Sequence, residues 1–506
     1  MSAKHDKLYS ALCQHVRETA LLAATESALG WDERTMLPPA GAEFRAEQMT
    51  LLAGMMHERR TDPRLGDWLR ELLDSPLAAD PHSDQGTTLR QLKRDFEKRC
   101  KLPQSLVEEL ARVTSLGQTA WQAARQTDDF SLLSELLEQI FELKRAQAAA
   151  VGYESDPYDA LLDDFEPDEK TATVAGVLAD LREALVPLVA EIAASSRRPD
   201  VSILSRRYPL DMQCAFAREV ATAAGFDFER GRLDETAHPF CTGLGPHDCR
   251  ITTRYDEHFF NTAFFGTLHE AGHGIYDQGL RTDQYGLPPS EAVSLGIHES
   301  QSRLWENLVG RSHAFWQHFF PAAQRAFPDA LGGESLEAFY FAINDVRPSL
   351  IRVEADEATY NLHILIRFEL ERALISGGLR VRDLPDAWSA KYEQYLGIRP
   401  PSAADGVLQD IHWSAGLVGY FPTYSLGNLY ASQFFDQAEQ ELDPLAKQFA
   451  RGEFQVLREW LGEKIHRHGQ RYSAAELAQR TTGKPLSHAP LIAHLRRKLA
   501  PLYGLN

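Results

Sequence analysis

The chain has 506 residues, enough to bury a large core, and its 72 acidic against 53 basic side chains give a formal charge of −19. This acidic balance argues against nucleic acid or an anionic membrane as the main partner. No run of about 18 apolar residues predicts a membrane-spanning helix, and the charged N-terminus does not match a secretory signal. The five cysteines are scattered and odd in number, which fits a reducing compartment, so we expect a cytoplasmic protein.

Most of the N-terminal part has the spacing of amphipathic helices. The predicted helices of this part are 5–27, 43–73, 88–127, 130–150 and 171–195. Pro103 is expected to open a fresh helix inside the third of these stretches. Residues 30–39 are rich in helix breakers and large apolar groups, which predicts a loop packed against the body. No repeat or linker divides the chain, so we expect a single domain over residues 1–506.

The composition changes between about residues 200 and 258, where Gly, Pro and β-branched residues are frequent. Residues 248–253 alternate as a short strand does, which predicts a small sheet beside the helix that follows. Strand content is otherwise low, so the predicted fold class is mainly α. Cys241 and Cys249 form a C-x7-C pair, a poor metal signature, and we interpret them as structural thiols.

The next stretch carries an H-E-x-x-H box, His269-Glu270-Ala271-Gly272-His273. Four residues on a helix amount to about 400°, so the two histidines lie on one face and can bind one metal ion. Glu270 projects about 100° further round and is free to act on water as a base. The spacing can also arise by chance, but Phe260, Phe264 and Leu268 recur every four residues and predict a helix here.

Further helices are predicted after the box. Pro288-Pro289-Ser290 indicates a helix capped by Ser290 and running through Trp305. Long helical patterns then fill 336–376 and 428–465, and a basic helix covers 491–499.

A catalytic zinc ion needs a third protein ligand and an open position for water. Glu291 and Glu299 are the nearest downstream glutamates, and on one helix they would lie too far apart for both to reach the metal. Glu291 is expected in the first turn, where a carboxylate complements the helix dipole. Glu299 stands mid-helix among Leu295, Ile297 and Leu304, where a lone charge is costly without a partner. Glu299 is therefore the predicted third ligand.

Six motifs follow one another along the chain: His238-Pro239-Phe240, Asp248-x-Arg250-x-Thr252, the box, His298-Glu299-Ser300-Gln301, Ile351-Arg352-x-x-Ala355-Asp356 and Gly406-x-x-Gln409-Asp410-x-His412-Trp413. Together with weaker likenesses at Trp31-Asp32, 158–163 and Lys484-Pro485-Leu486, they resemble the carboxypeptidase Taq family of metal-dependent carboxypeptidases from end to end. The resemblance implies a large, mainly α-helical zinc-peptidase fold with a deep active-site groove between two lobes, a small sheet beside the metal helix, and a homodimer.

The resemblance implies His269, His273 and Glu299 as metal ligands and Glu270 as the catalytic carboxylate, the set that spacing also favours. Zn2+ is the expected metal for two histidines and a glutamate, with Co2+ as an alternative. The expected substrates are peptides with a free C-terminus, from which single amino acids are released.

The resemblance also gives roles to residues that the pattern alone leaves open. Arg352 by itself reads as an exposed partner of Asp356, but in a carboxypeptidase it is a candidate clamp for the substrate's terminal carboxylate. His412, otherwise a structural histidine, becomes a candidate donor to the oxyanion, as do Tyr420 and Tyr424, which could equally be core.

Arg250 either contacts the substrate backbone or pairs with Asp248. His238 is expected to be structural. Two other functions stay open at this point. A helical oligopeptidase would keep the metal box without a carboxylate anchor, and a helical scaffold would carry the box without any bound metal.

Overall fold

The computed structural model describes residues 2–505, and most of them are helical. The described chain folds into two compact units, each assembled from three separate segments. Unit 1 comprises residues 2–100, 200–343 and 434–484, and unit 2 comprises residues 101–199, 344–433 and 485–505. The predicted fold class, mainly α with one small sheet, is confirmed, while the single domain stays a prediction.

Nine α-helices precede the sheet in the described chain. They are α1 Ser2–Thr35, α2 Ala42–Arg60, α3 Pro63–Leu73, α4 Asp84–Cys100, α5 Gln104–Thr127, α6 Ser131–Val151, α7 Pro157–Leu162, α8 Thr171–Ala194 and α9 Leu210–Ala224. Pro103 is the N-cap residue of α5, as expected. Pro63 begins α3 and so divides the predicted helix 43–73, because proline has no N–H to continue the preceding helix.

Twelve α-helices follow the sheet in residues 254–505. They are α10 Phe260–Gly279, α11 Leu295–Arg303, α12 His313–Ala326, α13 Pro328–Leu331, α14 Leu336–Ile343, α15 Tyr360–Ile375, α16 Leu384–Leu396, α17 Pro422–Glu441, α18 Leu445–Phe449, α19 Gln455–Lys464, α20 Ala474–Thr482 and α21 Ala489–Tyr503. The predicted helices 336–376 and 428–465 are therefore interrupted. Among the residues that the structure describes, no helix combines the length and apolar character needed to cross a bilayer.

The sheet of unit 1 has three strands, β1 Gly231–Glu235, β2 Cys241–Gly245 and β3 Asp248–Thr253. The predicted strand 248–253 is the central one, since the strand order is β1-β3-β2. β1 pairs with β3 in parallel and β2 pairs with β3 antiparallel. The sheet packs on α10, where Gly274 leaves room for Ile251 and Phe226, so the small sheet does lie beside the helix of the H-E-x-x-H box.

The first half of α10 is anchored in an aromatic core of unit 1. Phe260 and Phe264 stack with their ring centroids 5.1 Å apart, and the centroid of Trp316 on α12 lies 5.0 Å from that of Phe264. All three side chains are almost completely buried. Each such aromatic buries about 150–250 Å², which holds this end of the helix in place.

A glycine permits the close approach of α10 and α11. A Cβ atom on Gly272 would lie only 2.6 Å from the carbonyl oxygen of Gln301 and 2.6 Å from Cα of Ser302. Both contacts are to backbone, which cannot rotate away. The glycine inside the H-E-x-x-H box is therefore a packing residue that brings Glu299 on α11 close to the two histidines.

Two predicted helix boundaries in unit 1 are wrong. The loop expected at 30–39 begins only after Thr35, because α1 continues through Gly30 and buries Trp31. The helix expected to begin at Ser290 begins after Ser294, whose hydroxyl accepts from the N–H of Ile297. Glu291 precedes this helix in extended backbone and is not in its first turn.

Helix α15 forms the core of unit 2. Thirteen of its sixteen residues are buried, and they include the polar residues His363, Arg367 and Glu371. Each of the three has a partner. His363 Nδ1 lies 2.9 Å from the hydroxyl oxygen of Tyr392, Arg367 Nε donates to Asp410 Oδ2, and Glu371 accepts from the indole N–H of Trp413. These contacts hold α15 against the segments around it.

Candidate functional site

The three predicted metal ligands come together in unit 1. His273 Nε2 lies 3.4 Å from Glu299 Oε2, and His269 Nε2 lies 3.7 Å from the same oxygen. All three ligand atoms are within 4.8 Å of one another. Around a tetrahedral zinc ion with bonds of about 2.0–2.1 Å, nitrogen and oxygen ligands lie roughly 3.3–3.5 Å apart. The arrangement therefore fits a small divalent cation.

Two charged residues orient His269 and Glu299. Glu306 Oε2 lies 2.9 Å from His269 Nδ1, so the imidazole turns its other nitrogen, Nε2, toward the ligand cluster. Glu306 stands on a π-helical segment, Leu304–Val309, which continues α11. Arg303 Nε donates to Glu299 Oε1 at 2.6 Å and its Nη1 donates to Glu306 Oε2 at 3.3 Å. Arg303 thus fixes both carboxylates and leaves Glu299 Oε2 to face the histidines.

A second chain of hydrogen bonds orients His273. Its Nδ1 lies 2.6 Å from His298 Nδ1, and His298 Nε2 lies 3.0 Å from Asp277 Oδ1. When the carboxylate of Asp277 accepts the Nε2–H of a neutral His298, His298 Nδ1 becomes an acceptor for the Nδ1–H of His273. His273 Nε2 is then unprotonated, the state that a metal ligand needs.

Burial and charge set the ionisation of the ligands. Burial by itself would raise the pKa of Glu299, but the charges of Arg303 and His269 outweigh it and hold that pKa well below its usual range. Burial lowers the pKa of His273 to about 4. Near neutral pH the metal-free cluster therefore already holds an ionised carboxylate and a neutral imidazole.

Glu270 differs from Glu299 in its electrostatics. Only 6% of the residue is exposed. Burial raises its pKa to about 7, against the lowering effect of His269 and with the raising effect of Glu299. A carboxyl group with a pKa near neutrality can accept and release a proton under working conditions, which suits a general base.

Arg352 lies in unit 2 and is buried, with 5% of the residue exposed. Its Nε and Nη2 donate to Asp410 Oδ1 at 3.0 and 2.8 Å, and its Nη1 donates to the hydroxyl of Tyr360 at 3.0 Å. The alternative of an exposed pair with Asp356 is therefore wrong. Asp356 instead accepts from the backbone N–H of Thr359 at the start of α15.

The surroundings of Arg352 carry an excess of positive charge. Asp410 Oδ2 accepts a hydrogen bond of 2.6 Å from Nε of Arg367, which is completely buried. Two guanidinium groups thus share one carboxylate. A guanidinium has five N–H donors, and the contacts of Arg352 described above use three of them. This part of unit 2 suits a further anion.

The other predicted residues of unit 2 gather around Arg352. The carbon of its guanidinium lies 5.1 Å from the ring centroid of Tyr424. His412 Nε2 lies 3.5 Å from the hydroxyl oxygen of Tyr424, and the ring centroid of Tyr420 lies 5.4 Å from that of His412. Burial lowers the pKa of His412 to about 4, although Asp410 acts in the opposite direction. His412 is therefore neutral near pH 7 and can donate one hydrogen bond.

Arg250 is on β3 in unit 1 and makes the local pair that the sequence suggested. Its Nε and Nη2 donate to Asp248 at 3.0 and 2.9 Å, and its guanidinium carbon lies 4.3 Å from the ring centroid of Trp31. His238, expected to be structural, lies between β1 and β2 with an exposed side chain.

Several supporting residues were not predicted. Glu299, Arg303 and Glu306 recur at i, i+4 and i+7, the spacing of one helical face, and this charged stripe was a signal that could have identified Arg303 and Glu306. The pairing of Arg352 and Arg367 with Asp410 joins residues distant in sequence, and no local pattern indicates it.

Known proteins resemble this chain over nearly its whole length. The model of the carboxypeptidase Taq (M32) metallopeptidase family matches residues 11–499. Thermostable carboxypeptidase 1 of Thermus thermophilus is 50% identical over 505 residues, which cover 98% of this chain and 99% of that protein. Carboxypeptidase 1 of Bacillus subtilis is 41% identical over 477 residues, covering 94% of each.

Solved structures give the same result. The crystal structure of an M32 carboxypeptidase from Deinococcus radiodurans R1 matches with a TM-score of 0.96 at 43% identity, covering 99% of this chain and 100% of that one. The matches support hydrolysis of peptides by a metallocarboxypeptidase and imply a divalent metal. The chain belongs to the carboxypeptidase Taq family of M32 metallopeptidases.

Proposed function

We propose that this chain releases single amino acids from the C-terminus of peptides, and that its native metal is Zn2+ held by His269, His273 and Glu299. The observation that carries this proposal is the convergence of the two imidazole Nε2 atoms on Glu299 Oε2, at 3.7 and 3.4 Å. Co2+ prefers similar ligands and is an alternative occupant.

Glu270 is the proposed general base. A bound divalent ion would supply Lewis-acid polarisation of the scissile carbonyl and lower the pKa of a water molecule. The carboxylate of Glu270 takes a proton from the attacking water and then passes it to the nitrogen of the leaving amine. Its pKa of about 7 supports both transfers, because neither state of the carboxyl group is strongly favoured near neutral pH.

Arg352 is the proposed anchor for the terminal carboxylate of the substrate. Two guanidinium groups against one carboxylate leave a buried positive charge, and a substrate carboxylate would balance it. A charge-assisted, bidentate contact would also fix the register of the peptide, so that only its last bond is cut.

Four further residues have proposed roles at the substrate. His412 donates to the developing oxyanion on the scissile carbonyl, assisted by Tyr424 or Tyr420. The neutrality of His412 supports this role. Arg250 is proposed to contact the substrate backbone. If it does, Arg250→Lys raises KM, whereas a purely structural arginine leaves KM unchanged.

We further propose that residues 1–506 act as one metallocarboxypeptidase domain. Homodimerisation and a cytoplasmic location are also proposed, from the family resemblance and from the five free cysteines. Light scattering coupled to size-exclusion chromatography would check the dimer, and cell fractionation would check the location.

The first experiment identifies the products by mass. Purified protein is stripped with a chelator, reloaded with Zn2+ or Co2+, and incubated with a blocked dipeptide and a longer free-acid peptide. We expect stepwise loss of C-terminal residues that depends on metal. Glu270→Gln should reduce kcat by about 10²–10⁴ while its metal content stays that of the wild type. Internal fragments would instead indicate an oligopeptidase. If no peptide is cleaved either with or without added metal, the protein would be a scaffold.

The second experiment tests the anchor with a pair of substrates that differ only in a C-terminal carboxylate or amide. Losing a buried charge-assisted contact costs about 2–5 kcal/mol, so Arg352→Met should lower kcat/KM for the free acid by roughly 30-fold or more and leave the amide unaffected. Arg347→Met, at an exposed arginine nearby in the sequence, is the control and should preserve the preference for the acid. Equal wild-type activity on acid and amide would contradict the proposed anchor.

A further inference from the structure

Unit 1 contains a second cluster of metal-binding side chains, which the proposed function does not use. Cys241 on β2 and Cys249 on β3 bring their Sγ atoms to 3.7 Å. Asp277, on the second half of α10, places Oδ2 3.7 Å from Cys241 Sγ and 4.0 Å from Cys249 Sγ. Three potential ligands from three elements therefore face one point.

The three distances match the edges of a tetrahedral coordination shell. With Zn–S bonds of about 2.3 Å, two thiolates on one tetrahedral ion lie roughly 3.8 Å apart. A thiolate and a carboxylate oxygen bonded at about 2.0 Å lie roughly 3.5 Å apart. The observed separations of 3.7, 3.7 and 4.0 Å are close to these values. We propose that Cys241, Cys249 and Asp277 form a second metal site, for a thiophilic divalent cation such as Zn2+ or Cd2+.

The chemistry of this ligand set selects the class of ion. Two thiolates exclude Mg2+ and Ca2+, which prefer oxygen ligands, and favour soft or borderline cations. Binding releases the two thiol protons to solvent, forms two metal–sulfur bonds and one metal–oxygen bond, and leaves a fourth position for water. Cys249 is buried, and Cys241 and Asp277 are half-buried.

The thiols by themselves do not explain the cluster. The facing thiol and burial both raise the pKa of Cys241. The hydrogen bond with Cys241 lowers the pKa of Cys249, but burial and the charge of Asp277 outweigh it and raise that pKa. Without a cation the pair is therefore neutral. A neutral S–H is a weak hydrogen-bond donor, so two thiols satisfy the carboxylate of Asp277 poorly. A divalent cation would neutralise two of the three negative charges that the two thiolates and the carboxylate carry.

The second site is linked to the first through one histidine. Asp277 uses Oδ2 toward the sulfurs and Oδ1 toward His298 Nε2, and His298 in turn contacts His273. The two sites are thus neighbours, and a test must count them separately. The second site itself does not depend on the proposed peptidase mechanism.

The test uses Cd2+ as the probe, with the full-length reduced protein freed of metal. Thiolate ligation gives a sulfur-to-cadmium charge-transfer absorption that histidine and carboxylate ligands do not produce. We expect the wild type to bind two Cd2+ ions per chain, one with this absorption. The double variant Cys241→Ser/Cys249→Ser should bind one ion and lack the absorption. The matched control Cys13→Ser/Cys100→Ser, which replaces two cysteines outside the cluster, should behave as the wild type.

Two further variants separate the sites and guard against misfolding. Glu299→Gln weakens the first site and should retain the full sulfur-to-cadmium absorption. Asp277→Asn keeps the side-chain shape and should weaken the absorbing site by at least about tenfold, since even an outer-shell change costs tenfold or more. Absence of the absorption from the reduced wild type would overturn the proposal. So would its persistence in the double serine variant, whose fold is checked by circular dichroism.

Discussion

The contact between Glu306 and His269 offers a quantitative test of how the metal centre is held. Glu306 Oε2 lies 2.9 Å from His269 Nδ1, and Arg303 bridges Glu306 to Glu299. Burial would raise the pKa of Glu306, but Arg303 and His269 lower it to about 2, so the group is fully ionised near pH 7. A carboxylate in this position increases the basicity of the imidazole ligand and fixes its tautomer.

The magnitude follows from what each substitution removes. Glu306→Gln keeps an acceptor oxygen for Nδ1–H but loses the charge, and we expect zinc affinity to fall about tenfold, or about 1.4 kcal/mol. Glu306→Ala also loses the acceptor and leaves Arg303 with one carboxylate, so we expect a fall of about a hundredfold. Both variants keep His269, His273 and Glu299, the three proposed ligands.

The assay is competition for Zn2+ between the protein and a chromophoric chelator near neutral pH. The matched control is Glu334→Gln, which removes a carboxylate paired with Arg206 at 2.7 Å elsewhere in unit 1. Its zinc affinity should equal that of the wild type. If Glu306→Gln also binds zinc within twofold of the wild type, then Glu306 does not tune the ligand and the reasoning from its contact is wrong.

Two predictions concern stability and are measured by denaturant unfolding. Gly272→Ala should destabilise the protein by about 2–3 kcal/mol, because its Cβ would meet backbone atoms at 2.6 Å. The control Gly266→Ala, whose Cβ would meet nothing closer than 3.6 Å, should stabilise the protein by about 0.5–1 kcal/mol. Equal effects of the two substitutions would refute the packing argument. Burial would raise the pKa of Glu357, but Lys498 and His494 lower it from 4.5 to about 2, so its ionisation adds roughly 3 kcal/mol above pH 4.5 that is lost as pH falls toward 2. The stability difference between wild type and Glu357→Gln should therefore shrink by about half between pH 7 and pH 3, and a constant difference would contradict this assignment.

The clustering of His269, His273 and Glu299 could be predicted from the sequence because its signals are local. The box needs only the pitch of a helix, and Glu299 was singled out because a mid-helix charge among apolar residues requires a partner. In the structure that partner set is Arg303 with the two histidines. The aromatic spacing every four residues likewise predicted α10, since its buried face is what the core of unit 1 needs.

The wrong boundaries have tertiary causes. Ser290 and Ser294 are equally good capping residues by type. The hydroxyl of Ser290 instead donates to the carbonyl oxygens of Gln284 and Leu287, which leaves Ser294 to cap α11. Continuation of α1 through Gly30 costs about 1 kcal/mol, and the burial of Trp31 is large enough to offset it.

Contacts between distant residues could not be predicted. Arg352 was compared with Asp356 because that residue is one helical turn away, but the backbone at 352–354 is a single 3-10 turn and α15 begins only at Tyr360. Arg352 and Asp356 are therefore not one turn apart on a helix, and Arg352 instead pairs with Asp410, 58 positions further along the chain. Sequence patterns of short period carry no information about such a pair.

The charge balance of the metal centre leads to a last prediction. Three carboxyl groups, those of the buried Glu270 and Glu299 and of the half-buried Glu306, face the guanidinium of Arg303 and the more distant one of Arg311, whose Nη2 is 3.8 Å from Glu306. Protonation of Glu270 reduces this excess of negative charge in the metal-free site, since burial raises the pKa of Glu270 to about 7. A divalent cation supplies the missing charge and should displace that proton.

At pH 7 a group with this pKa is about half protonated, so zinc binding to the wild type should release roughly half a proton more than binding to Glu270→Gln. The number of protons is measured by titration calorimetry in buffers of different ionisation enthalpy. At pH 9 Glu270 is ionised before zinc arrives, and the two proteins should then release equal numbers. A difference that is absent at pH 7, or that persists unchanged at pH 9, would mean that Glu270 is not the group that exchanges its proton for the charge of the metal.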